Sequence, residues 1–522
     1  MDRRRFLGAA VAVAASAAGT AVLALRSLGG SPAAGRVQAA RATRTSAHPS
    51  ASASASASLS LELAEQQRAG NPDWRLRSEG PPEAVEGYAD RISVLPGEPF
   101  SLHVSTTASA FTVSAYRVGW YGGAQARLVW RSPSQRGRRQ AAASFTSATR
   151  TAYARWDPSL TVATDGWPPG AYLLRLDASN GHQRYLPLVL RSPSAAGRTV
   201  LMHGVATWQA YNLWGGYSLY QGSDGAYGNR SLVVSFDRPY DGSGAEKFLV
   251  YERALVVLAE RLGIPLAYTT GLDVHLSPAA LDGASAVLSL GHDEYWSPQQ
   301  RARVTRARDA GANLAFLGAN ACFRRIRWQA GNRQVVCFKS DFRDDPAYWQ
   351  HPAEVTTDFR ANPGADPESS LIGVLYEGFP TDAPYRVHAA DHWLFAGTGV
   401  AAGDTFAHLV GVEYDRVTPG SPTPRPIEIL AHSPLVCAGA QSHSDTAYYT
   451  VPSGAGVFAS GTMRWVEGLM AGTGDDGGAH GMDARTGALV TRVTENLLTA
   501  FAQGPAARNR PAPRDNMHAV YG

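Results

Sequence analysis

Lysine is almost missing. Of the 48 Lys and Arg residues in this 522-residue chain, only Lys247 and Lys339 are lysine. An Arg, Ala and Gly bias explains the general pattern. Yet a compact ammonium and a planar guanidinium differ chemically, so each retained lysine is a candidate for a specific task. Cysteine is scarce too, at three. None sits in a strand-to-helix elbow and there is no G-x-S-x-G, which argues against Ser-His-Asp hydrolysis and against a Cys-dependent amidotransferase. Neither H-E-x-x-H nor C-x-x-C occurs, so the common zinc patterns are absent. No Gly-rich phosphate loop of recognised spacing is present. The net charge of +4 is small and no basic cluster lies in the body, which argues against nucleic acid as a partner. With 44% hydrophobic and 18% charged residues, the chain can bury a large core, and its length suits two or three domains.

The N-terminus carries an address. Arg3, Arg4, Arg5, Phe6 and Leu7 match the twin-arginine export pattern, and an Ala/Val run follows to about Leu25. Residues 1–39 read as that signal or, uncleaved, as a membrane tether, since the run is about long enough to span. Export would place the protein outside the cell or on its envelope. Residues 40–71 contain a Ser-Ala repeat without any core-forming pattern and read as a disordered linker.

Residues 72–195 alternate apolar and polar positions in short runs broken by Gly, Pro, Asn and Asp. That pattern predicts an immunoglobulin-like β-sandwich. Tyr172 lies inside one of its strands, where a tyrosine ordinarily packs. Residues 196–505 predict an α/β domain with a mainly parallel sheet. Its strands are Thr199 to His203, Ile264 to Thr269, Ala286 to Leu290, Asn313 to Leu317 and Gly456 to Ser460. Its helices are Glu246 to Leu262, the stretch from Ser297 to Gly311, and Ala484 to Phe501. Residues 335–450 read as a β-rich insertion and 506–522 as a tail.

The chain is organised around residues 284–320, a strand–helix–strand unit. Ser297 caps the helix, Pro298 opens it and Gln300 takes the capping-box position. In parallel sheets ligands bind beyond the carboxyl ends of the strands. His292, Glu294 and Asn320 fall at such ends, and His292 and Glu294, two apart, face one way if the chain stays extended. Polar residues here also serve simply to cap the next helix. Tyr211 and Asn212, after the first strand of the domain, belong to the same rim. Cys322 and Cys337 would close a loop of about 15 residues as a disulfide; folding before export would equally leave all three thiols reduced. Carboxylates and phenols are hard oxygen donors, suited to Fe(III) or a similar ion.

Seven motifs recur in order: YRVGWYGG (Tyr116 to Gly123), TWQAYNLWGGYSLY (Thr207 to Tyr220), GHDEYWS (Gly291 to Ser297), GANACFRRIRW (Gly318 to Trp328), VCFKSDF (Val336 to Phe342), VGVEYDR (Val410 to Arg416) and GTMRW (Gly461 to Trp465). Over about residues 81–501 the set resembles the large (beta) subunit of N,N-dimethylformamidase. The resemblance implies a β-sandwich followed by a glutamine-amidotransferase-like α/β domain. It also implies an amidohydrolase with one iron, Fe(III), on two tyrosinates and a glutamate. Carried over motif by motif, the metal residues are Tyr172, Tyr211 and Glu294. His292 and Glu413 would move the proton, and Asn320 and Lys339 would steady the oxyanion. The implied partner is a small-molecule amide. The family enzyme has a small partner subunit, of which this sequence carries no sign, and a homo-oligomer stays open. The expected function is thus an exported iron-dependent hydrolase of a small amide C–N bond. The alternative is a non-catalytic exported cell-surface or binding protein on the same fold.

Overall fold

A computed structural model describes residues 64–474 and 480–522. The twin-arginine motif, its apolar run and the Ser-Ala repeat lie outside the described residues. Among the described residues no helix is long and apolar enough to cross a membrane. The span read as linker is already packed where its description begins. Glu65 is buried and accepts hydrogen bonds from Tyr121 Oη at 2.7 Å and Arg127 Nε at 2.6 Å. From Glu65 onward, inside the span read as linker, the chain is therefore packed against the fold.

The architecture is mixed β and α/β, with many sheets and few long helices. Toward the N-terminus, a three-stranded sheet (Val85–Ala89, Phe100–Thr106, Leu160–Val162) shares a core with a six-stranded one. Strand Gly170–Ala178 of the larger sheet shows how sequence period becomes layering. Tyr172, Leu174 and Leu176 point into the shared core, whereas Ala171 and Leu173 join the core of the α/β region. Successive side chains take opposite faces of a strand, so burial of both faces makes the run almost continuously apolar.

The α/β region is built on a seven-stranded sheet. Its order is Leu266–Thr270, Thr199–His203, Ala286–Ser289, Asn313–Phe316, Gly456–Ala459, Ala440–Thr450, Ile427–Cys437. The first five strands are parallel and the last two antiparallel. Strands expected to lie in an insertion thus extend the main sheet. A long hairpin, Leu375–Arg386 with Thr405–Arg416, forms its own two-stranded sheet beside it.

Helix Pro298–Asp309 begins as its sequence requires, with Ser297 Oγ accepting from Gln300 N at 3.1 Å. The helix expected over 246–262 is instead two, Glu246–Tyr251 and Arg253–Arg261. Glu252 between them leaves helical geometry (φ −131°, ψ −38°). Its fully buried carboxylate accepts from Trp208 Nε1 at 2.8 Å and Gly204 N at 3.2 Å and pairs with His203. All three cysteines are free thiols, so Cys322 and Cys337 are not bridged. Burial pushes the Cys322 thiol up to about 12 and Cys337 up to about 11; neither is a ready nucleophile.

Candidate active site

The parallel strands end on one polar rim. After strand Ala286–Ser289 the chain turns at Gly291 (φ +53°), where an added Cβ would lie 2.2 Å from the Tyr251 carbonyl oxygen. Glycine alone suits both the left-handed backbone and the close approach. The turn delivers His292 and Glu294. After strand Asn313–Phe316, Asn320 takes φ +60°, a conformation asparagine tolerates. Its N–H donates to the buried Asp415 carboxylate at 2.8 Å, which holds the turn in place. Asp415 and Glu413 both come from the hairpin strand Thr405–Arg416.

Glu294 is the hub. Tyr211 Oη donates to its Oε2 at 2.9 Å, and Tyr220 Oη donates to the same oxygen at 2.6 Å. The two phenol rings stack, with centroids 4.2 Å apart. Tyr295 Oη donates to Tyr220 Oη at 2.7 Å. Arg324 Nε reaches Glu294 Oε1 at 3.3 Å. His292 Nε2 lies 3.4 Å from Tyr211 Oη, 3.5 Å from Glu294 Oε2 and 3.7 Å from Glu413 Oε2. Glu294, His292, Asn320 and Glu413 are buried, while Tyr211 and Tyr220 are only half-buried.

Electrostatics separate the two glutamates. Burial disfavours the Glu294 charge, but His292, Arg324 and Lys339 outweigh it and hold the group ionised. Burial first, and the Glu294 charge next, push Glu413 well above the carboxylate range, toward its protonated form. Burial and the Glu294 charge together raise the hydroxyls of Tyr211, Tyr220 and Tyr295 far above the phenol range. His292 is lowered, chiefly by burial.

The rim joins His292, Glu294, Asn320, Glu413 and Tyr211, all singled out from sequence. It does not include Tyr172. That hydroxyl donates to Pro168 O at 2.6 Å, and its ring stacks on Trp167 with centroids 5.2 Å apart, inside the β-sheet core. The strand's alternation puts Tyr172 on the same face as Leu174 and Leu176, away from the α/β region. The tyrosine that meets Tyr211 is Tyr220, nine residues further along the same aromatic motif. The signal was the motif's own wealth of tyrosines; a loop has no periodicity to say which turns inward. Lys339 is near but differently placed than expected. Its Nζ donates to Leu219 O at 2.8 Å and lies 3.4 Å from the Tyr220 ring centroid, against the phenol face. Asn212 braces the loop by donating to Gln209 Oε1 and Pro239 O.

Among the described residues no group of three His, Cys, Asp or Glu could hold a metal ion. The donors that converge are two phenols and one carboxylate, a set that fits a hard trivalent ion once the phenols ionise. Around it, His292 Nδ1, Asn320 Oδ1 and Glu413 Oε2 are buried with no partner among the described residues. Buried polar atoms are normally paired, so these three atoms keep hydrogen-bonding capacity that water or a ligand can fill.

Residues 112–479 match the family described as N,N-dimethylformamidase beta subunit-like, C-terminal. No curated protein matches the chain. A solved cycloisomaltooligosaccharide glucanotransferase of Paenibacillus sp., complexed with cycloisomaltoheptaose, is 14% identical over 24% of this chain and 17% of its own length. Its TM-score is 0.14, a likeness that carries no argument.

Proposed function

The chain belongs to the N,N-dimethylformamidase beta subunit-like family, and from that membership we propose that it hydrolyses the C–N bond of a small amide at the Glu294 cluster. The observation that carries the proposal is the convergence of Tyr211 Oη and Tyr220 Oη on one oxygen of Glu294. Tyr211, Tyr220 and Glu294 would hold a single iron, as Fe(III), which when bound supplies Lewis-acid polarisation of the amide carbonyl and a more acidic water. The remaining steps belong to the chain. His292, within 3.7 Å of both carboxyls, takes the proton of the attacking water. Glu413, protonated by its burial beside Glu294, returns a proton to the departing nitrogen. The Asn320 side chain faces the same space and orients the substrate amide. Lys339, on the outer face of Tyr220, offsets negative charge on the phenol and Glu294.

The same reading takes the two N-terminal sheets as an immunoglobulin-like sandwich and the seven-stranded region as amidotransferase-like. The Arg3 to Leu7 motif supports twin-arginine export to the cell envelope or beyond. The family's beta subunit-like description makes a second subunit the first macromolecular partner to seek.

Metal content, the visible spectrum and amine release from simple amides test the proposal. Roughly one iron per chain, a phenolate charge-transfer band lost in both Tyr211→Phe and Tyr220→Phe, and amine release are expected. A colourless protein that stays iron-free when iron is supplied, and releases no amine, returns the chain to the class of binding proteins.

A further inference from the structure

The chain's only two lysines flank one pair of rings. Lys339 Nζ lies 3.4 Å from the Tyr220 centroid and Lys247 Nζ lies 4.5 Å from the Tyr211 centroid. The rings themselves stack at 4.2 Å, which leaves no room for an ammonium between them. Each lysine therefore covers an outer face, giving the order Lys339, Tyr220, Tyr211, Lys247. The two ends differ. Lys339 is buried and spends a hydrogen bond on Leu219 O. Lys247 is half-buried, its ammonium lies over the faces of Tyr211 and, at 5.5 Å, Tyr251, and it has neither hydrogen bond nor ion pair among the described residues. Burial lowers the Lys247 ammonium below the usual lysine range, and Glu246, Asp241, Glu413 and Glu294 oppose that through space, but none forms an ion pair with it. Glu294 already has Arg324.

An ammonium is a strongly hydrated point charge with three donors. A ring face offsets part of its desolvation and none of its hydrogen bonds. Lys247 thus carries donors that no described residue uses on the outer face of Tyr211, near enough to His292, Glu294 and Glu413 for their charges to act on one another. We propose that Lys247 is a specificity-determining residue that binds a carboxylate on the substrate, so that the amide cleaved here is an N-acyl amino acid or similar acid rather than a neutral dialkylamide. A single ammonium without a guanidinium fork matches a small monoanion better than a phosphate. The assignment rests on the reading of this pocket as an amide-hydrolysing site.

The test is calorimetric binding of N-formylglycine, N-acetylglycine and N-benzoylglycine to the full chain, each against its glycinamide counterpart, with amine release followed in parallel. At least one acid should bind about tenfold more tightly than its amide, the scale of one hydrogen bond to a charged group. That ratio should fall to about one in Lys247→Met and persist in Lys247→Arg. A wild-type ratio near one across the panel overturns the assignment without needing any variant to fold, as does a ratio that Lys247→Met leaves intact. Carboxylate binding that depends on Lys247, with no amine released from any probe, removes the hydrolase reading and with it the cleaved amide, and leaves Lys247 as a carboxylate-binding residue only. Equal amine release from acids and amides does the reverse.

Discussion

Glu260 and Glu294 are both buried and both accept a tyrosine hydroxyl, and they are built to opposite ends. Glu260 lies where the β-sheet region meets the α/β region. It takes both Arg117 Nη groups and the Tyr268 hydroxyl, while Arg117 also reaches Tyr121, which donates to Glu65. No side-chain polar atom of Arg117, Tyr121, Glu260 or Tyr268 is left buried and unpartnered. Glu294 takes Tyr211 and Tyr220, yet His292, Asn320 and Glu413 around it each keep an unmet atom. A saturated network locks two layers together. An unsaturated one at the ends of parallel strands costs stability and persists where a ligand completes it.

Substitution should split the pair. Glu294→Gln is expected to abolish amide hydrolysis and iron retention while leaving the thermal midpoint close to wild type, read by amine release, metal analysis and calorimetry. Glu260→Ala should do the opposite. It strands Arg117, and loss of one partner of a buried ion pair typically costs about 3–5 kcal/mol, measurable by urea unfolding. If the two variants behave alike, the contrast between a structural and a ligand-seeking cluster fails.

The comparison needs a pH at which a third buried group is silent. Burial first, and Arg514 next, lower His392 from the usual 6.5 to about 4. Its unfolded form therefore binds more protons than the folded form between those values. Stability from this group is present above about pH 6.5 and is lost as pH falls toward about 4. His392→Gln should flatten that part of the stability profile in denaturant titrations, and an unchanged slope would reassign the acid sensitivity.

The smallest effect separates two tyrosines. Tyr172→Phe removes one hydrogen bond to a backbone carbonyl, worth about 1 kcal/mol, with activity retained. Tyr220→Phe removes a donor on Glu294 and should cost activity and colour with little change in stability. Equal losses of activity would bring Tyr172 back to the site by a route the geometry does not contain.

Much of the site was legible for a local reason. A strand followed by a glycine turn places the next polar residues at the sheet's carboxyl edge wherever the sheet lies, so His292, Glu294 and Asn320 could be read from residues 284–320. Glu413 was legible only as part of a motif, because a hairpin residue's address depends on how the hairpin docks. Tyr172 was misplaced by weighing its motif over its alternation, which already set it among Leu174 and Leu176.

The sequence alone determined the apolar runs that form the parallel strands, the Ser297 cap, the scarcity of lysine and the identity of most rim residues, because these depend on neighbours within a few positions. Only the tertiary structure decided that Glu252 breaks a helix to pair with His203, that Tyr220 rather than Tyr172 joins Tyr211, and that two lysines 92 positions apart cover one pair of rings. Those outcomes are set by which surfaces pack together and which buried charges must be met. Packing and charge burial act between residues distant in sequence, and no local pattern encodes them.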